Sequence, residues 1–225
     1  MAKRVVLAVD VGGSHVKALT SRAKTRRRFD SGPSLTAAEM VAGTLEVAKG
    51  WSWEAVTVGI PSPVRGGRVI SEPVNLGDGW VGFNYESAFG KPTQVVNDAV
   101  MQAVGSYQGG RMLFLGLGTG LGSAMISDGV IEPLELGHLP FRKKTFEDYV
   151  GERGLEKLGK KKWKKAVFET VARLSAATEP NEIVLGGGGV DKLDELPAGC
   201  RRGENENAFL GGFRLWDPDW VSHLK

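Results

Sequence analysis

Val5-Val6-Leu7-Ala8-Val9-Asp10-Val11-Gly12-Gly13-Ser14-His15-Val16-Lys17 lies close to the start of the 225-residue chain, and the rest of the sequence is organised around it. A β-branched apolar run reads as a buried strand; here it meets an acid, a glycine pair and a small hydroxyl before a second alternating run from Val16 to Leu19. The pattern predicts a strand, a tight turn and a returning strand. The two glycines allow positive φ and close approach of a ligand, and the amides of Gly12, Gly13 and Ser14 can converge on an anion. Asp10 would repel a bare phosphate. It fits phosphate binding if a cation intervenes, and Mg²⁺, which takes a carboxylate, waters and phosphate oxygens together, suits that position. A plain hairpin with a solvated Asp is the alternative that this stretch alone leaves standing.

The whole chain sets wider bounds. Hydrophobic residues at 41% and charged residues at 24% exclude a disordered polymer and describe a chain able to bury a substantial core. No apolar run approaches the roughly 18 residues that span a bilayer, and the N-terminus enters a strand without a signal-peptide pattern, so no membrane partner and a cytoplasmic location are expected. The single cysteine, Cys200, can form neither an intramolecular disulfide nor a Cys-rich zinc site. The net charge of +3 is concentrated in Arg22–Arg28 and Lys157–Lys165. Such runs are solvated faces or docking sites for a polyanion.

In chain order, a third strand is expected at Thr25–Phe29, then a helix from Ala37 to Lys49 whose Thr36 and Glu39 have capping-box spacing. Ala55–Ile60 alternates as a strand. The long Gly- and Pro-rich stretch from Pro61 to Trp80, containing Asn75, has the character of a functional loop. Thr93–Val96 is a strand running into Asn97-Asp98-Ala99, at the carboxyl end where open α/β sheets bind ligands; a helix N-cap is the bland alternative for that Asp. Arg111–Leu117 leads into Gly116-Leu117-Gly118-Thr119-Gly120-Leu121-Gly122-Ser123 and a return strand, repeating the opening plan. The glycine spacing is not the dinucleotide fingerprint, and the turn opens onto a strand rather than a helix. Glu135-Leu136-Gly137-His138 sets an acid and an imidazole around a glycine in a loop. Gly154–Lys161 nearly spells a Walker A motif, but no strand precedes it and Lys161 stands where a hydroxyl must be. A strand at Ile183–Leu185 then ends in Gly186-Gly187-Gly188-Gly189, ahead of an expected helix.

Five stretches in this order resemble the ROK family, in the sugar-kinase branch of the actin-like ATPase superfamily: Asp10–Ser14, Asn97–Ala99, Leu117–Gly122, Glu135–His138 and Leu185–Gly188. Within it, Ser14 with Lys17, and the Gly-Thr-Gly-Leu-Gly-Ser-Ala turn, look most like the polyphosphate/ATP glucokinase branch. The family's Cys-rich zinc motif after the sugar-loop His is missing, so no zinc is expected on His138. The Glu inside that motif has no certain counterpart, and Glu152 is taken as its substitute.

The resemblance implies a two-lobed actin-like (ribonuclease H-like) α/β sugar kinase fold with mixed sheets flanked by helices, divided at 1–97 and 98–225 and meeting near Asp98. It implies a glucokinase-type reaction, with ATP or polyphosphate as donor and the 6-hydroxyl of glucose or a related hexose as acceptor. Asp98 would be the general base, with Asn75, Asn97, Glu135, His138 and Glu152 on the sugar. Asp10 would hold Mg²⁺ through water; Gly12, Gly13, Ser14, Lys17, Gly118, Thr119 and Gly120 would bind phosphates, and Gly187 and Gly188 the adenosine. A homodimer is consistent with the family, and a nucleic-acid partner is not expected. A non-catalytic sugar-binding ROK-like protein and a kinase for another hexose or an N-acetylhexosamine are the competing readings.

Overall fold

A computed structural model describes residues 4–204 and 206–221. The opening run forms strands β1 (Val6–Val11) and β2 (His15–Thr20), followed by β3 (Arg27–Asp30), helix α1 (Ala37–Val47) and strand β4 (Ala55–Ile60). The capping box at the start of α1 is formed: Thr36 Oγ1 accepts the Glu39 N–H at 3.2 Å, and the Glu39 carboxylate accepts the Thr36 N–H at 2.9 Å. Such caps are worth about 1 kcal/mol. A small hairpin, β5 (Val64–Arg65) and β6 (Arg68–Val69), interrupts the long loop; helix α2 (Tyr85–Phe89), strand β7 (Thr93–Asn97) and helix α3 (Asp98–Ser106) come next.

These strands form one mixed sheet in the order β3-β2-β1-β4-β7, with β2 and β3 antiparallel and β4 and β7 parallel to β1. β1 and β4 are buried almost throughout, which is why they read as continuous apolar runs rather than as alternating ones. Trp80, Met40 and Ile60 are among the fully buried side chains of the core beside this sheet.

The plan then repeats. Strands β8 (Arg111–Leu117), β9 (Leu121–Ser127) and β10 (Val130–Leu134) make an antiparallel meander; a small hairpin, β11 (Pro140–Phe141) with β12 (Lys144–Thr145), leads into helices α4 (Phe146–Val150) and α5 (Glu152–Thr178). Strands β13 (Glu182–Gly186) and β14 (Cys200–Arg202) add in parallel, giving the order β10-β9-β8-β13-β14. The near-Walker segment lies within α5, which breaks at Gly159, where φ is 73°. The helix expected after the glycine run is only a 3-10 turn, Gly188–Lys192.

The chain ends in helices α6 (Asn207–Arg214) and α7 (Pro218–Val221). By its contacts it splits into a first unit, up to Gly105 and again from Ala208, and a second, Ser106–Asn207, whereas the sequence motifs place the division at 97/98. What brings α6 back to the first sheet is close backbone approach. A Cβ on Gly211 would collide with the Met101 carbonyl oxygen of α3, and one on Gly212 would lie 2.7 Å from Ala8 Cβ of β1. Thr57 Oγ1 donates to the Gly212 carbonyl at 2.8 Å and accepts from Trp216 Nε1 at 2.9 Å. Among the described residues no helix is long and apolar enough to cross a membrane.

Gly211→Ala should therefore overpack the α6–α3 contact and cost about 1–3 kcal/mol, read as a lower urea midpoint. Leu210→Ala, at a position 40% exposed, should stay within about 0.5 kcal/mol. Equal midpoints for the two variants would mean that α6 is not seated this way.

Candidate active site

The opening turn is braced from β3. Ser31 Oγ donates to the Gly12 carbonyl at 2.6 Å, the Ser31 N–H donates to the Ser14 carbonyl at 3.0 Å, and the Gly12 N–H donates to the His15 carbonyl. Among the described residues the Gly13 and Ser14 amides meet no protein acceptor. Asp10 stands directly across from Lys17 in the β1–β2 register, with Lys17 Nζ 3.4 Å from Asp10 Oδ2. Burial pushes the Asp10 carboxyl above the usual range; the Lys17 ammonium, and less strongly the Arg26 guanidinium, oppose the shift.

Among the described residues no group of three or more His, Cys, Asp or Glu is arranged to hold a metal. One poorly solvated carboxylate beside a phosphate-sized turn still fits Mg²⁺, which characteristically keeps its waters and takes most of its remaining ligands from substrate phosphates. Here the protein's share would be Asp10.

At the far side of the same sheet, β7 delivers Asn97 and Asp98. The capping role belongs to Asn97: its Oδ1 accepts the N–H of Ala99 at 2.9 Å and of Val100 at 3.2 Å, while its Nδ2 donates to the Ser62 carbonyl. Asp98 Oδ1 accepts the Ala99 N–H. The bland reading of an Asp here, that it is present as the cap, is thus met by its neighbour. Register relates the two ends of this edge: Asp10 pairs with Gly59, which pairs with Val96, and Asn97 comes next. Two strand spacings of about 4.8 Å separate β1 from β7. Between them Gly59 leaves space that Met101 Cε fills, where a Cβ would come within 2.6 Å.

The long loop is fixed rather than slack. Buried Leu76 and Trp80 anchor it, the Glu72 carboxylate accepts the N–H groups of Trp80 and Val81, and Ser62 Oγ donates to the Ser71 carbonyl at 2.5 Å. Half-buried Asn75 is held at its bend, and among the described residues its side chain makes no protein hydrogen bond.

In the second unit, the turn between β8 and β9 carries Gly118, Thr119 and Gly120. A Cβ on Gly120 would meet Glu147 Oε2 at 2.5 Å, so the turn lies against the Glu147 carboxylate of α4, whose flexible end would have to move aside. The Glu135–His138 loop lies against this hairpin as a 3-10 turn, tied by Ser123 Oγ, which donates to the Leu134 carbonyl and accepts the Leu136 N–H. His138 Nε2 is 3.8 Å from Glu147 Oε1. Partial desolvation raises the Glu135 carboxyl above its ordinary range, His138 opposing and Glu147 adding to the shift. The structure thus groups Glu135, His138 and Glu147. Glu147 was not among the residues the sequence singled out; Glu152 begins α5, its N–H donating to the Gly118 carbonyl at 3.0 Å. The available signal was Glu147-Asp148 following Thr145, a helix start two residues long in acids.

The glycine run after β13 has a packing cause. A Cβ on Gly187 would strike the Leu117 carbonyl oxygen, and one on Gly189 would lie 2.8 Å from Leu117 Cβ, while Gly188 meets nothing within 4 Å. Arg202 Nη1 and Nη2 donate to the Val190 and Leu193 carbonyls and close the adjoining 3-10 turn.

No family model matches the chain. It is 28% identical over 213 residues to a polyphosphate glucokinase of Mycobacterium tuberculosis, covering 83% of this chain and 78% of that protein. Among solved structures it resembles the inorganic polyphosphate/ATP-glucomannokinase of Arthrobacter sp. (23% identical, TM-score 0.80, 93% of this chain and 97% of the other). It also resembles a ROK family glucokinase of Streptomyces griseus solved with glucose and AMPPNP (18% identical, TM-score 0.77, 94% and 99%). The fold is that of these two solved structures.

Asp10→Asn should raise thermal stability at neutral pH. A carboxyl with a raised folded-state pKa favours the fold only while protonated; below its unfolded value both states hold the proton, and the cost of ionisation grows as pH rises through the folded value. The variant's gain in Tm should therefore be full at pH 7 and vanish near pH 3.5. A lower Tm for the variant at pH 7 would show that the Lys17 pairing outweighs the burial.

Proposed function

We propose that this chain, a ROK-family sugar-kinase relative close to the polyphosphate glucokinase branch, transfers the terminal phosphoryl group of ATP or polyphosphate to the 6-hydroxyl of glucose or a related hexose. The observation that carries the reading is the sheet edge with Asp10 and an anion-binding turn at one strand end and Asp98, relieved of capping by Asn97, two strands away.

In the reaction the sugar oxygen attacks the terminal phosphorus in line. Its proton passes to the Asp98 carboxylate, the new P–O bond forms, and the bridging P–O bond breaks with its electron pair leaving on the shortened donor. The amides of Gly13 and Ser14, with Gly118, Thr119 and Gly120 in the second turn, hold donor phosphates. Mg²⁺, when bound, supplies charge neutralisation on those phosphates, and Asp10 is the residue to hold it through water. Among the first unit's residues Asn75 and Asn97 are the candidates for sugar hydroxyls, and the second unit has a polar group of its own in Glu135, His138 and Glu147. A site made of such polar groups rejects a sugar lacking a hydroxyl because its own partners are left unpaired.

A coupled glucose 6-phosphate assay with ATP and with polyphosphate, with Mg²⁺ present and then chelated, tests the reading. Asp98→Asn should lower kcat by about 10²–10⁴-fold while calorimetry finds glucose affinity largely kept. Turnover near wild type would remove Asp98 from the role of base.

Glu147 and Glu152 separate by kinetics. Glu147→Gln should raise the KM for glucose by about tenfold, the cost of a charge-assisted hydrogen bond to the sugar. Glu152→Gln should stay within about twofold. The reverse order would restore Glu152 to the sugar.

A further inference from the structure

The segment between β3 and α1, Ser31-Gly32-Pro33-Ser34-Leu35, touches both the opening turn and the long loop of the first unit. Its first residue grips the turn: Ser31 Oγ donates to the Gly12 carbonyl at 2.6 Å, and the Ser31 N–H donates to the Ser14 carbonyl at 3.0 Å. Its last residue seats the loop that carries Asn75: the Leu35 carbonyl accepts the Gly77 N–H at 3.0 Å and Trp80 Nε1 at 3.3 Å. At Gly77 the contact is backbone on backbone, since a Cβ there would meet the Ser34 carbonyl oxygen at 2.6 Å.

What lies between these anchors is short and stiff. The Leu35 N–H donates to the Gly32 carbonyl at 3.0 Å, closing a turn over Gly32–Leu35 in which Pro33 takes the second position, where its ring presets φ. Ser31 and Leu35 are therefore within about 11 Å of each other, one Cα step plus the span of a turn. Thr36 begins the capping box of α1, which fixes the far end of the segment. On the loop side, the Glu72 carboxylate clamps the Trp80 and Val81 amides and Leu76 is buried, so little slack separates Gly77 from Asn75.

We propose that Ser31–Leu35 is a bridge that couples donor and acceptor binding inside the first unit, with Ser31 as its positioning residue. Phosphate held on the Gly13 and Ser14 amides and sugar held on Asn75 favour the same setting of the segment, so each ligand prepares the protein for the other. This rests on the kinase reading, which puts phosphates at the one loop and the sugar at the other. A turn that needed only bracing is served by Ser31 alone, and a loop that needed only anchoring by Glu72 and Leu76. Neither need accounts for both being tied to one short segment closed by its own hydrogen bond. Close packing of backbone on backbone transmits a displacement rather than absorbing it. Linkage makes the effect reciprocal: sugar must tighten donor binding by the factor by which donor tightens sugar binding.

The test is titration calorimetry of glucose, and of Mg²⁺ with AMPPNP or with imidodiphosphate, neither of which transfers its phosphoryl group, each alone and in the presence of the other. In the wild type, saturating glucose should tighten the better-bound analogue by about fivefold or more. In Ser31→Ala the tightening should fall below about twofold while each ligand alone keeps its affinity within about twofold. Ser31→Thr, which retains the hydroxyl, should restore the coupling. Hydrogen exchange gives a second reading: the analogue alone should slow exchange of the Gly77 amide about fivefold in the wild type and less than about twofold in Ser31→Ala. Donor affinity falling equally with and without glucose would reduce Ser31 to a brace, and coupling undiminished in Ser31→Ala would put its origin elsewhere in the molecule. Either result overturns the bridge, as does a wild-type Gly77 amide indifferent to the analogue. A chain that binds both ligands with this coupling yet phosphorylates no sugar would sink the kinase reading alone, and one that binds neither would sink both.

Discussion

The parallel register of β1, β4 and β7 is the constraint from which the first unit's chemistry derives. Once Asp10 is aligned with Gly59 and Gly59 with Val96, the strands end together, and the residues just beyond each end share one edge. The hydrogen bonds of the ladder therefore set the spacing between the Gly12–Ser14 turn and the Asp98 carboxylate, and no flexible segment is asked to do so. Gly59 matters because it lies in the middle of that row. A side chain there would displace Met101, and Met101 belongs to the helix that Asp98 begins. Asn97 completes the arrangement from the other direction: one amide closes the first turn of α3 and ties it to the loop after β4.

The second unit uses the same plan, a meander followed by two parallel strands, for a different balance of tasks. Its hairpin turn is packed on α4 through Gly120 and on the start of α5 through the Gly118 carbonyl, and its return strand supports the Glu135–His138 loop through Ser123. The hairpin and the Glu135–His138 loop are thereby fixed to each other by the two hydrogen bonds of Ser123. The β11–β12 hairpin and the Phe141–Phe146 stack, with centroids 4.7 Å apart, hold the segment that brings Glu147 to His138. Aromatic burial of this kind contributes roughly 0.5–1.5 kcal/mol beyond its area and gives the loop a rigid base.

Much of this was legible in sequence because it is local. Hairpins announce themselves by glycine between alternating runs; the α1 cap is a three-residue spacing; Asn97-Asp98 comes within one step of a strand's end. The hidden part depends on residues far apart in the chain. That α6 returns to the first unit is due to two glycines whose only message in sequence is the absence of a side chain, and their meaning lies in Met101 and Ala8, more than a hundred residues upstream. Glu147 was hidden for the same reason: its partner His138 is across a hairpin, and the fold of that hairpin brings them together where spacing does not. The run Gly186–Gly189 misled in the opposite sense, since two of its glycines answer to Leu117.

The arginine run at the start of β3, Arg26 just before the strand and Arg27 and Arg28 within it, shows how a composition signal divides once a strand is known. As a run they read as one basic patch, but a period of two means that a strand cannot present a continuous charged surface on one face. One guanidinium is drawn to the carbonyls at the end of α1, where it neutralises the negative end of the helix dipole and covers Trp51. Arg28, one step along, is then committed to the opposite face, directly beside Lys17. Its placement there costs the fold little, because an exposed guanidinium remains hydrated, yet it raises the positive potential where Asp10 is poorly solvated. A buried carboxylate and a nearby line of cations are each mildly unfavourable in the empty protein: one lacks water and the others repel.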